Sequence, residues 1–382
     1  DMSLVSLSQF GPFKQDFAYV TVRGGAHMFY WLFYTTADVE NYTDRPLVIW
    51  LQGGPGGSST GIGNFEILGP LDLSLQERNT TWVKNFNVLF VDNPVGTGFS
   101  YVDELRFLTV TNDEIARDFV QLMRGFYNDH PEFNGVPLYI YGQSYGGKMA
   151  IDMEGTIGSN LKGIAMGNAW ISPVDATLTW GPLLLAAGLV DQEGHDEIQD
   201  AAKEAERLFN EGLYANSTDQ WGATQWVTVR RTDHVDFYNI LTKTVSQNAP
   251  TDTRKPLESR HTVWNLETLM RTQVNQALNI PAHVVWGSQS GPYIHIQLIL
   301  IKYVAILLIS GQILWVDRLK WPGAEGYKNA PRLPIWENDK LEGYYKSYGN
   351  FRFFWINYAG HSVPRDNPAG TNAFLRDMTS FG

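Results

Sequence analysis

An α/β fold, with a mostly parallel central sheet flanked by helices and carrying a helical cap insertion, is predicted from three observations. Short apolar runs alternate with helix-period segments through the first half of the chain. One of those runs leads directly into Gly142-Gln143-Ser144-Tyr145-Gly146, which is followed by a helix-like stretch. A more charged, mostly helical block over residues 175–280 then interrupts the alternation before strands return. G-x-S-x-G between a strand and a helix is the nucleophile elbow of the α/β-hydrolase fold. The implied division is a core of residues 1–174 and 281–382, with 175–280 as the cap.

The elements follow in order. Residues 17–35 read as a β-hairpin turning at Gly24-Gly25. Residues 46–51 form a central strand ending in Gln52-Gly53-Gly54-Pro55-Gly56-Gly57-Ser58-Ser59, and residues 87–92 form another. Ile115, Phe119, Leu122, Met123 and Phe126 have helical spacing and predict a helix over 113–128. Residues 136–141 are the strand before the elbow, and 161–166 the next strand, closing on Gly167-Asn168-Ala169-Trp170. Strands are expected again at 303–309 and 353–357. The apolar run 294–309, interrupted by His295, Gln297 and Lys302, is too short to span a bilayer and reads as buried strand.

A chain of 382 residues can bury one large core with an insertion. Its net charge of −11 argues against nucleic acid and anionic membrane surfaces as partners. Such an acidic chain suits an acidic compartment, where fewer carboxylates are ionised. Three Asn-x-Ser/Thr sequons, at Asn41, Asn79 and Asn216, point to N-linked glycans and the secretory pathway. The absence of cysteine excludes disulfides, a thiol nucleophile and a zinc–thiolate site; no metal or other cofactor is expected. The chain opens on Asp1-Met2-Ser3 without a signal peptide, as a mature form would. Oligomeric state, a homodimer included, is left open.

Ser144 is the candidate nucleophile, flanked by glycines because a tight, strained turn leaves no room for Cβ atoms. The glycine-rich stretch after the central strand is where this fold draws its second oxyanion donor, so the N–H groups of Gly54 and Tyr145 are expected to converge on a carbonyl oxygen. The triad order is serine, acid, histidine, and among eight histidines His361, past a late strand and a glycine, has the fitting context.

Trp50-Leu51-Gln52-Gly53-Gly54-Pro55-Gly56, Asp92-Asn93-Pro94-Val95-Gly96-Thr97-Gly98-Phe99-Ser100-Tyr101, the elbow, Gly167-Asn168-Ala169-Trp170-Ile171, Val274-Asn275-Gln276-Ala277-Leu278 and Gly360-His361-Ser362-Val363-Pro364 occur in one order along the chain. In these motifs it resembles the serine carboxypeptidases, above all their retinoid-inducible (type 1) members. The resemblance implies a lysosomal or secreted exopeptidase that removes C-terminal residues from peptides at acid pH without a metal. Ser144 would match the nucleophile, His361 the base, and Gly54 and Tyr145 the oxyanion hole.

The sequence departs from the family's pattern in three places. The family carries its triad aspartate in Gly-Gln-x-Asp; here Ser310-Gly311-Gln312-Ile313 is followed by Leu314. The next stretch, Trp315-Val316-Asp317-Arg318-Leu319-Lys320-Trp321-Pro322, resembles one that normally lies further on, as if a segment carrying the acid were missing; Asp317 belongs to that later stretch and reads as a surface residue. Of the groups that hold the substrate's terminal carboxylate, Gln52 fits, Gln143 replaces an acid, and Ile67-Leu68-Gly69-Pro70 lacks another, with Glu66 one position off. An amide at 143 still donates a hydrogen bond but blunts the acid-pH dependence of a shared proton. These departures keep two alternatives in view: an impaired homologue acting as a binding or storage protein, and an acyltransferase on the same scaffold. The missing family cysteines are a further departure.

Overall fold

In the computed structural model, which describes residues 10–154, 160–242, 265–288 and 309–381, the expected hairpin forms from Gln15–Arg23 (β1) and Ala26–Phe33 (β2), antiparallel, with Gly25 left-handed at the turn. Leu47–Leu51 (β3), Asn87–Val91 (β4) and Leu138–Gln143 (β6) are buried at every position, which is why each reads as a continuous apolar run rather than an alternating one. With the short Tyr101–Val102 (β5) and Leu161–Gly167 (β7) they make a seven-stranded sheet in the order β1-β2-β4-β3-β6-β7, β5 pairing with β2. The centre is parallel, β3 pairing with both β4 and β6, and β2 joins β4 antiparallel.

The chain divides into two units, Asp1–Met166 with Lys255–Ile294 and Gly167–Arg254 with His295–Gly382. In the first, Asn112–Asp129 (α1) starts at a capping box: Glu114 N–H donates to Thr111 Oγ1 and Thr111 N–H to the Glu114 carboxylate, each at 3.2 Å. Its predicted stripe is buried against β1 and Tyr145–Glu154 (α2). In the second unit, Pro173–Leu178 (α3), Trp180–Ala186 (α4), Gln192–Asn210 (α5) and Tyr214–Arg231 (α6) pack on one another, Arg231 pairing with Glu193 and Glu197 across α5 and α6. Leu266–Leu269 (α7) and Asn275–Ala277 (α8) flank a π turn in the first unit. No helix among the described residues is long and apolar enough to cross a membrane.

Two expectations about the C-terminal part change. The run 353–357 is a strand, Phe351–Ile356 (β10), but it belongs to a separate antiparallel sheet with Leu333–Glu337 (β8) and Lys340–Tyr348 (β9). The turn signals for it were present: Asn338 and Asp339 both take positive φ, and Gly349 has φ +57°. Residues 294–308 lie outside the described residues, so the strands expected there are not described. Ile309, the last residue of both, opens a helix instead, Ile309–Val316 (α9). Gly311 of α9 lies so close to α3 that a Cβ there would be 2.7 Å from Ala176 Cα. Ala324–Asn329 (α10), Val363–Asp366 (α11) and Pro368–Thr379 (α12) complete the unit, α12 covering the small sheet.

Candidate active site

Ser144 sits between the last residue of β6 and the first of α2 with φ +62°. A non-glycine residue in the left-handed region costs about 1–2 kcal/mol, and the turn is over-determined by its neighbours. A Cβ on Gly142 would lie 2.2 Å from Gly146 O, and one on Gly146 2.2 Å from Leu51 O. Both glycines are therefore obligatory, as the spacing predicted. Ser144 is 2% exposed, and its Oγ has no hydrogen-bond partner among the described residues.

The glycine-rich loop after β3 lies against this serine. A Cβ on Gly53 would be 2.6 Å from Ser144 Cβ and 2.8 Å from its Oγ. Gly54, next along, has φ +121°. Tyr145 opens α2, so its N–H belongs to the set of donors a helix leaves unpaired, and its hydroxyl donates to Asn112 Oδ1 at 2.5 Å. The loop is tied down from below. Gln52 N–H donates to Ser59 Oγ (3.0 Å), and the buried Asp92 carboxylate accepts from Ser58 Oγ (2.9 Å), Thr60 N–H (3.0 Å), Thr60 Oγ1 (2.7 Å) and Phe99 N–H (2.9 Å). Burial, the largest influence, raises the pKa of Asp92 above the usual carboxylate value, while these four donors pull it back down. Trp286 Nε1 adds a bond to Ser58 Oγ at 3.2 Å. In the sequence Asp92 was legible as a strand end and as the first residue of a family motif, with no role attached to it. Asp92→Ala leaves these buried donors without an acceptor and should lower stability by about 3 kcal/mol or more in urea unfolding. A loss below ~1 kcal/mol would sink the anchoring role.

Trp50 Nε1 donates to Gln52 Oε1 at 3.0 Å, which leaves the Gln52 amide NH₂ as its donor end. Gln143 is buried at the end of β6, its carbonyl oxygen 2.8 Å from the Cβ that Gly53 lacks. Gln52, Gly54, Gln143, Ser144 and Tyr145 thus belong to one loop–elbow constellation in the first unit.

His361 lies in the second unit, past β10. Its N–H donates to Tyr238 O (2.8 Å), and Asn168 Nδ2 donates to the carbonyls of Gly360 (3.1 Å) and His361 (3.0 Å). The residue is part-exposed, yet Nδ1 is buried and has no partner among the described residues. Burial, with a smaller contribution from the Arg365 charge, pushes its pKa down to about 3.

The family profile described as serine carboxypeptidase matches residues 7–297 and 304–380. The chain belongs to the serine carboxypeptidase family. It is 39% identical to the retinoid-inducible serine carboxypeptidase of Mus musculus, over 92% of this chain and 88% of that one. It is 32% identical to serine carboxypeptidase-like 51 of Arabidopsis thaliana, over 96% and 92%. The fold is that of a prohormone-processing carboxypeptidase from Saccharomyces cerevisiae, with a TM-score of 0.74 at 20% identity over 96% of this chain and 91% of the other. The α/β-hydrolase prediction holds.

At one motif position the chain departs from the serine carboxypeptidase pattern. Leu314, at the acid's motif position, is on α9 and 41% exposed, and Asp317 just beyond the helix is exposed as well. Between Trp286 and Asp317 the sequence contains no aspartate or glutamate. Gln312 is held in place, donating to Ala169 O (3.1 Å) and accepting from Trp315 Nε1 (2.8 Å). The Gly-Gln pair is therefore seated while the residues after it turn into a helix. Ile67, where the family places a second acid, is buried, and Glu66 is part-exposed. Asn41, Asn79 and Asn216 are all exposed.

Proposed function

We propose that the chain is a serine carboxypeptidase that releases C-terminal residues from peptides through an acyl-enzyme. What carries the reading is Ser144, held left-handed at the elbow with the Gly53 backbone against it, in a chain of this family. His361 takes the Ser144 hydroxyl proton as Oγ attacks the scissile carbonyl, and the N–H groups of Gly54 and Tyr145 receive the oxyanion. The proton passes to the leaving amine as the C–N bond breaks. Water, giving its proton to His361, then cleaves the ester and restores Ser144. The amides of Gln52 and Gln143 hold the terminal carboxylate of the substrate. The helical block 175–280 acts as a cap on a core of 1–174 and 281–382. Glycans at Asn41, Asn79 and Asn216, and a lysosomal or secreted location, belong to the same proposal; the exposure of all three asparagines supports it.

The test is labelling by a fluorophosphonate together with release of C-terminal amino acids from a peptide, monitored by mass spectrometry. Labelled Ser144 and single-residue trimming are expected. Trimming at the parent's full rate when Ser144 is replaced would overturn the assignment.

The pH profile follows from His361. The base must be neutral, and an ordinary histidine near 6.5 is mostly protonated at pH 5. With its pKa pushed down to about 3, His361 stays neutral there, so activity persists at acid pH. On the alkaline side Gln52 and Gln143 carry no proton to lose. kcat/KM should rise with a midpoint well below 6.5 and then stay level to about pH 8. A decline through pH 5–6 would instead reveal a titrating carboxyl in the binding site.

A further inference from the structure

We propose that Asn168 is a positioning residue for His361, holding the histidine turn where no carboxylate among the described residues meets the imidazole Nδ1. The proposal rests on His361 being the base assigned above. A catalytic imidazole needs its ring placed and its tautomer set, and an acid bonded to Nδ1 does both. Here Nδ1 has no partner among the described residues, and no acid occupies the motif position. The turn itself is nonetheless tightly held.

One side-chain amide, Asn168 Nδ2, donates to two successive carbonyls, Gly360 O at 3.1 Å and His361 O at 3.0 Å. That bridge fixes the peptide planes on both sides of the His361 Cα. From other directions Tyr238 O accepts the His361 N–H, and Asp366 Oδ2 accepts the Gly360 N–H at 2.9 Å. A Cβ on Gly360 would lie 2.6 Å from Tyr238 O, so the turn is also closely packed. Asn168 follows directly on β7 with φ +47°, a conformation asparagine tolerates better than most residues. A donor mounted at a strand end is a rigid support, as a positioning group requires. The Tyr238 ring stands 5.4 Å from the imidazole, and Arg365 and Asp366 are the charged groups beside the turn.

A mere staple of the loop would change melting temperature and little else. A positioning role changes the chemical step and leaves substrate binding alone, because Gln52 and Gln143 are on other elements. The test uses the full chain with two substitutions. Asn168→Gly keeps the left-handed backbone and deletes both donors. Asn168→Asp keeps the shape and sets an acceptor against two carbonyl oxygens. We expect kcat and the rate of fluorophosphonate labelling at Ser144 to fall together by roughly 10-fold, a part of the ~10² that Ser144 and His361 supply between them, with KM unchanged. The acid limb of kcat/KM should also move to higher pH as the loosened ring gains water. Should the glycine variant fail to fold, the isosteric aspartate variant gives the same reading. Wild-type kcat and labelling rate in a folded Asn168 variant, whatever its melting temperature, would overturn the proposal while the base assignment stands. His361→Gln with undiminished kcat would instead remove that assignment, and this proposal with it.

Discussion

Ser144→Ala is expected to abolish fluorophosphonate labelling yet lower peptide hydrolysis by only about 10². The size follows from the leucine at the acid's motif position. In a serine protease, removing all three triad members costs roughly 2 × 10⁶ in kcat, and removing the acid alone costs about 3 × 10⁴. A chain that already lacks the acid at its motif position, and whose His361 Nδ1 is unpartnered among the described residues, has only the remaining ~10² to lose. The residual rate is that of the oxyanion hole and substrate binding. Steady-state hydrolysis of one peptide by the parent and the alanine variant decides the matter. A loss near 10⁶ would mean that some carboxylate does act on His361, and the two-member reading would fail. No loss at all would remove Ser144 from the chemistry.

Gly53→Ala should be at least as damaging, costing on the order of 10²–10³ in kcat. The added methyl would lie 2.6 Å from Ser144 Cβ, 2.8 Å from its Oγ and 2.8 Å from Gln143 O. No real Cβ tolerates such contacts, so the loop or the elbow must move. The elbow is pinned by Gly142 and Gly146 packing on neighbouring backbone, and the loop by Gly57 N–H on Gly53 O (2.9 Å) and by the Asp92 cluster. Strain is therefore shared, and the Gly54 N–H proposed for the oxyanion hole is displaced. Overpacking should also lower stability by about 1–3 kcal/mol. Gly24→Ala is the control, since a Cβ there meets nothing within 4 Å. A Gly53→Ala enzyme with the parent's kcat would take the glycine-rich loop out of the oxyanion hole.

Much of this was legible because the signals are local. The buried strands β3, β4 and β6 are unbroken apolar runs, the α1 stripe keeps helical spacing, and two glycines around a serine require an abrupt turn. The antiparallel sheet β8-β9-β10 was less so. Lys340–Tyr348 mixes charged and aromatic residues on a half-exposed surface, so neither an apolar run nor a clean alternation announces it. Ile309–Val316 misled in the opposite way: eight mostly apolar residues suit a strand or a buried helix equally, and packing of Gly311 against α3 accompanies the helix.

The sequence alone pointed to the family, the elbow serine, the glycine loop, the late histidine and the leucine at the acid's motif position, because each is a matter of residue identity and spacing along the chain. Only the tertiary structure decided that Asp92 ties the loop down from 32 and 34 residues away and that Asn168 grips the His361 turn across more than 190. A hydrogen bond between such distant residues leaves no periodicity in the sequence, since it is made by the packing of whole elements rather than by any property of the residues between them.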